Sequence, residues 1–159
     1  MYSAGSEGVI RVWRIPEQQG NEESKTDGRN ECLGVFSSHK DVVWQLVYHP
    51  HDNMLLSVSA DASVKLWKSY EHAQEVAGQC FESIEQTTNH FLMGSFIQRR
   101  ESGVCEVPTS ASWIKSYSNM LVIAYRNPLI CLFDRVTVRR HLFLYLVSRV
   151  VAKAKFSCQ

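Results

Sequence analysis

A chain of 159 residues with 45% hydrophobic and 21% charged residues can build a folded core, and its net charge of +1 gives it no global match to a nucleic-acid polyanion. Five scattered cysteines, without a Cys-x-x-Cys pair or a signal-peptide pattern, predict reduced thiols in a cytoplasmic protein and exclude a disulfide scaffold.

In chain order, the opening residues MYSAGSEGVIRVWRI read as two short β runs about a turn at Gly5-Ser6-Glu7-Gly8, the second run carrying Trp13. Residues 17–31 hold five acids against Lys25 and Arg29 and read as a solvated loop. Three more β runs come at residues 42–48, 54–59 and 63–68, with turns at His49-Pro50-His51-Asp52 and Ala60-Asp61-Ala62. Laying residues 3–8 on residues 57–62 brings Trp13 onto Trp67, 54 positions later, which is the self-similarity of stacked supersecondary units. Alternation sends Val64 and Leu66 to one face and Lys65 and Trp67 to the other. Both faces therefore call for covering neighbours.

A fourth strand for this unit is expected at residues 79–83, which leaves 84–102 as an insertion longer than an ordinary hairpin connection. A third unit spans 103–134 and ends in Phe133-Asp134. The tail, 135–159, has six bases and no acid, and its apolar run from Leu142 to Val147 is far shorter than the roughly 20 residues of a bilayer span. It is expected to be irregular or helical, with a fourth blade strand at Phe143 to Val147 as the alternative.

The segment HKDVVWQLVYHPHDNMLLSVSADASVKLW resembles a WD40 repeat: Ser38-His39 stands where the family has Gly-His, Asp61 at its tight-turn aspartate, Ser59 at its strand serine and Trp67 at its tryptophan. The resemblance implies a hydrogen-bonded network of His39, Ser59, Asp61 and Trp67 inside one blade, with Trp13 and Phe133 at the matching aromatic positions of its neighbours. Lys68 and Arg14 replace the aspartate of the Trp-Asp pair. Within that family the runs YSAGSEGVIRVWRIP, LGVFSSHKDVVWQLVYHPHDNMLLSVSADASVKLW and VPTSASWI leading to MLVIAYRNPLICLFD look like the carboxy-terminal propeller of the striatins. The likeness lapses over 84–102 and after Asp134.

The resemblance implies an all-β fold, an incomplete WD40 β-propeller of about three antiparallel blades within residues 1–134. Its divisions would be a partial blade at 1–36, the best-formed blade at 37–83, the insertion, and the third blade. The implied function is a non-catalytic interaction scaffold, similar to the regulatory and scaffolding subunits that gather protein phosphatase 2A with kinases. Its partners would be other proteins, and uncovered blade faces predict self-association of the isolated chain. The competing reading is a peripheral membrane or nucleic-acid contact through the basic tail.

Catalytic and ligand-binding readings are weaker. His49, His51 and Asp52 lack a second ligand set and read as a turn rather than a metal site. His39, Ser59 and Asp61 have the membership of a hydrolase triad but fall at structural positions of a blade. Gly5-Ser6-Glu7-Gly8 precedes a strand, not the helix a phosphate loop needs. No cofactor motif is present, and Cys131, in a strand pattern, reads as a small buried apolar group.

Overall fold

The computed structural model describes residues 1–14, 31–49, 51–69, 91–114, 119–137 and 139–145. Among these described residues eleven strands run in chain order: β1 (Tyr2–Ala4), β2 (Val9–Arg14), β3 (Glu31–Ser37), β4 (Val43–His49), β5 (Met54–Ser59), β6 (Ser63–Lys68), β7 (Leu92–Ile97), β8 (Pro108–Trp113), β9 (Met120–Tyr125), β10 (Leu129–Asp134) and β11 (Arg140–Tyr145). They form three antiparallel sheets, ordered β1-β2-β3, β4-β5-β6-β7 and β8-β9-β10-β11. The fold is all-β, with three consecutive blade-like sheets of the about four to eight that close a propeller.

Two expectations need correction. The fourth strand of the second sheet is β7, pairing with β6, so residues 92–97 of the expected insertion are part of the blade; the expected strand at 79–83 lies outside the described residues, as do 84–90 and most of the acidic loop. The tail also contributes structure. β11 pairs with β10 from Leu129↔Tyr145 to Phe133↔Arg140, so the third blade extends to Tyr145 rather than stopping at Asp134. An extended fourth strand satisfies the outer backbone groups of β10, which an irregular or helical segment would leave open. Residues 146–159 lie outside the described residues.

The sheets share one irregularity. Each outer strand slips by one residue beside the terminal aromatic of its neighbour: between Val12 and Trp13, between Leu66 and Trp67, and between Leu132 and Phe133. Such a bulge increases local twist and re-aims the adjacent side chain. In the first two sheets a glycine stands just before the slip, Gly34 opposite Val12 and Gly94 opposite Leu66.

Apolar alternation builds two cores. Ile10, Val12 and Phe36 of the first sheet meet Leu55, Trp67 and Phe91 of the second, and Phe36 stacks on Trp67 at 5.2 Å and on Phe91 at 4.9 Å between ring centroids. On the other face of the second sheet, Leu56, Val58, Val64, Leu66 and Phe96 bury against Leu121, Ile123, Leu129, Cys131 and Phe133 of the third. Alternation at β6 thus divides Leu66 from Trp67 between the cores. Backbone and side-chain bonds also join the sheets: Val43 N–H of β4 donates to Gly5 O in the β1–β2 turn at 3.0 Å, and Ala111 N–H of β8 to Gln45 Oε1 of β4 at 2.9 Å.

Candidate functional site: a polar chain inside the second sheet

β5 and β6 place Ser57 and Trp67 on the face turned to the first sheet, and the turn ahead of β4 lays His39 against them. Trp67 Nε1–H donates to Ser57 Oγ at 2.8 Å, Ser57 Oγ lies 2.6 Å from His39 Nε2, and His39 Nδ1 lies 2.9 Å from Asp61 Oδ2. Since Ser57 Oγ accepts the indole proton, its own hydroxyl donates to Nε2, and Nδ1–H donates to the carboxylate. Every step then joins a donor to an acceptor with a neutral imidazole.

Asp61 closes the turn. Its carboxylate accepts from Ser63 Oγ at 2.6 Å, Ser63 N–H at 3.0 Å and Lys40 N–H at 3.0 Å. Burial alone would raise its pKa, but these hydrogen bonds and His39 outweigh burial and hold it at about 2, below its ordinary 3.8. Burial lowers the His39 pKa from 6.5, against the opposing pull of Asp61. A neutral ring beside an ionised carboxylate is consistent with both directions.

The hydroxyl that bridges His39 and Trp67 is Ser57, not Ser59. The two serines share a face of β5, but two residues along a strand separate them by roughly 6.6 Å. Ser59 sits at the turn end, paired with Val43, where its hydroxyl donates to Asp41 O and accepts from Asp61 N–H, both at 3.1 Å. It braces the turn rather than the chain of bonds.

Half of the network recurs in the first sheet. Trp13 Nε1–H donates to Ser3 Oγ at 2.7 Å, and among the described residues no imidazole completes it. The turns match as well: Gly8 has φ 70° and Ala62, its counterpart, φ 66°. The third sheet keeps the geometry and changes the chemistry. Phe133 takes the place of Trp67 and Ile123 that of Ser57, while Asn127 stands where Asp61 stands. Asn127 Nδ2–H donates to Glu106 Oε1 at 2.9 Å, and Arg100 caps the same carboxylate. Glu106, only 5% exposed, is a residue that sequence reasoning misses; its one signal is a lone acid just ahead of β8.

The other residues weighed for chemistry are occupied structurally. His49 meets Trp113 edge-on at 4.9 Å and lies 3.5 Å from Asp52, which pairs with Arg135 of the third sheet at 2.8 Å; His51 is exposed. Among the described residues no group of three His, Cys, Asp or Glu side chains could hold a metal ion, and no helix is long and apolar enough to cross a membrane. Cys131 is fully buried, and burial raises its thiol pKa to about 11, which keeps it a neutral apolar group.

His39, Ser57 and Asp61 match a hydrolase triad in type, yet Ser57 is 0% exposed and Trp67, also 0% exposed, closes over its oxygen. A nucleophile must reach its substrate. This chain of bonds ties the turn ahead of β4 to β5 and β6 inside the second sheet.

Residues 30–68 match the family described as WD domain, G-beta repeat. The chain is 27% identical to human striatin over 158 residues, which is 99% of this chain and 17% of striatin. It is 36% identical to cattle striatin-3 over 70 residues, covering 44% of this chain and 9% of that protein. Over 92 residues it is 32% identical to nuclear distribution protein PAC1 of Gibberella zeae, covering 58% of this chain and 16% of the relative. The chain therefore spans less than a fifth of the length of these relatives. It carries a WD repeat at residues 30–68 and is similar to striatin in sequence over nearly its whole length.

Proposed function

We infer that this striatin-like array of WD40 blades is a non-catalytic protein-interaction scaffold, working in the cytoplasm with components of phosphatase 2A–kinase assemblies. One observation carries the reading: the residues with the composition of a reactive site are consumed inside the blade, with Ser57 fully buried between His39 and Trp67. What remains at the surface suits docking. Trp44, 45% exposed, and Tyr48, 41% exposed, lie on β4, an edge strand of the second sheet, and aromatic side chains of this kind anchor protein interfaces. Similarity to striatins supports the choice of partner class.

The test is affinity capture from cell extract with the 159-residue chain and with Trp44→Ala. Enrichment of phosphatase 2A and kinase-assembly components, reduced by Trp44→Ala at an unchanged melting temperature, supports the reading. Capture of none of these components overturns the partner class. Binding to anionic vesicles or RNA in their place, lost on removing 146–159, would move the function to the basic tail.

A further inference from the structure

The link from β7 of the second sheet to β8 of the third doubles back on itself as a small hairpin. Glu106 N–H donates to Gln98 O at 2.8 Å, Arg99 bridges to Cys105, Arg100 N–H donates to Val104 O at 2.9 Å, and Gly103 N–H closes the tip on Arg100 O at 2.9 Å. Gly103 has φ 82°, the left-handed backbone that the reversal needs. The base of the hairpin is buried at Gln98 and Glu106, whereas Arg99, Arg100 and the whole tip, Glu101 to Val104, are exposed. Ser102 therefore stands at the outermost turn between two sheets.

The tip reads Arg99-Arg100-Glu101-Ser102. Of all the serines and threonines in the sequence, only Ser102 has Lys or Arg both two and three positions ahead of it. Two guanidiniums at those positions complement paired carboxylates in the substrate groove of a kinase, a charge pattern by which such enzymes choose substrates. The backbone bonds at the tip lie in exposed residues, so the turn can open into a groove while both sheets stay folded.

We propose that Ser102 is the phosphoacceptor of an arginine-directed protein serine kinase, and that the phosphate draws Arg100 away from Glu106. Ser102 Oγ bonds to the γ-phosphorus of ATP, the bond from that phosphorus to the bridging oxygen breaks, ADP leaves, and the hydroxyl proton passes to the aspartate of the kinase. The new dianion lies two residues from Arg100 and three from Arg99, within an Arg cluster of the kind that pairs with phosphate. Arg100 now caps the buried Glu106 carboxylate. Once it turns to the phosphate, that carboxylate keeps only the Asn127 amide, at 2.9 Å, among the described side chains. Removing the cation from a buried ion pair is destabilising, so the modification loosens the link between the second and third sheets.

The test incubates the folded 159-residue chain with ATP and the catalytic subunit of a cyclic-AMP-dependent kinase, and locates the phosphate by mass spectrometry. One phosphate per chain on Ser102 is expected, absent in Ser102→Ala. Arg99→Ala, which changes an exposed side chain, should lower kcat/KM of the kinase by at least ~10-fold at unchanged strand content by circular dichroism. Phosphorylation should lower the melting temperature by at least roughly 2 °C. The shift should shrink in Glu106→Gln, which no longer has a buried charge to strand; hydrogen exchange at the Arg100 and Glu106 amides of the parent, faster after phosphorylation, gives the same reading should that variant fail to fold. No incorporation, a phosphate elsewhere with Ser102 unmodified, or a rate indifferent to Arg99→Ala would overturn the site. A phosphorylated chain with unchanged melting and exchange, or a shift undiminished in a folded Glu106→Gln, would overturn the release of Arg100.

Discussion

Trp67 donates its indole N–H to Ser57 Oγ at 2.8 Å across two adjacent strands of the second sheet, and Trp13 repeats the bond to Ser3 at 2.7 Å in the first. The repetition identifies the tryptophan–serine pair as the part of the network both sheets retain. In the second sheet the serine also serves His39, so one buried oxygen holds two partners in place.

Ser57→Ala should therefore cost more stability than Ser59→Ala. Losing the Ser57 hydroxyl strands Trp67 Nε1–H and His39 Nε2 in a dry interior, at about 1–3 kcal/mol for each unsatisfied group. Ser59 is also buried, but its partners, Asp41 O and Asp61 N–H, belong to turn residues that are exposed and partly exposed and lie outside the His39–Trp67 chain of bonds. His39→Ala should likewise exceed His51→Ala, since the exposed His51 should stay within about 0.5 kcal/mol of the parent. Denaturant titration of the four variants measures the ordering.

Acid should destabilise the protein in two steps. The folded-state pKa of His39 lies below its unfolded value of 6.5, so its contribution is fully present above pH 6.5 and declines as pH falls below it. Asp61 behaves in the same direction, with its contribution intact above 3.8 and lost as pH falls through about 2. Unfolding free energy measured from pH 8 to 2 should fall below pH 6.5 and again below 3.8 in the parent. The first step should be absent in His39→Gln.

The two matching turns should respond differently to exchange of glycine and alanine. At Gly8 a Cβ would lie 2.9 Å from His39 O and 3.0 Å from Asp41 O, on a backbone with φ 70°. Gly8→Ala should destabilise by more than the about 1–2 kcal/mol that left-handed backbone costs an alanine, because the contacts add to it. Ala62→Gly relieves the same strain but forfeits a buried methyl worth about 0.8 kcal/mol and adds unfolded-chain entropy. Its net change should be under about 1 kcal/mol, and thermal melts of both variants give the comparison.

The sequence makes the hairpins legible because their signals are local. β2, β5 and β6 emerge from alternating apolar runs between turns, and the match of residues 3–8 with 57–62 already sets Ser3 on Ser57 and Gly8 on Ala62. The choice between Ser57 and Ser59 is not local: both have the same parity on β5, and only the position of His39 above the sheet separates them. β7 is hidden by its distance from β6 and by Gly94-Ser95, which interrupt the apolar pattern, although Gly94-Ser95-Phe96 echoes Gly34-Val35-Phe36 of β3. β11 lies in a short apolar run whose periodicity fits a helix or a strand equally. The pairing of Glu106 with Asn127 joins separate loops and has no motif.

A double-mutant cycle on Ser57→Ala and Trp67→Phe, read by denaturant unfolding, tests most directly whether the buried polar chain is what holds the second sheet. Each single change removes the indole–hydroxyl bond, so the pair should be coupled by about 1 kcal/mol or more, within the range for residues in one hydrogen-bond network. Costs that add to within about 0.3–0.5 kcal/mol would show that the two residues act independently and that the network is not the element securing the blade.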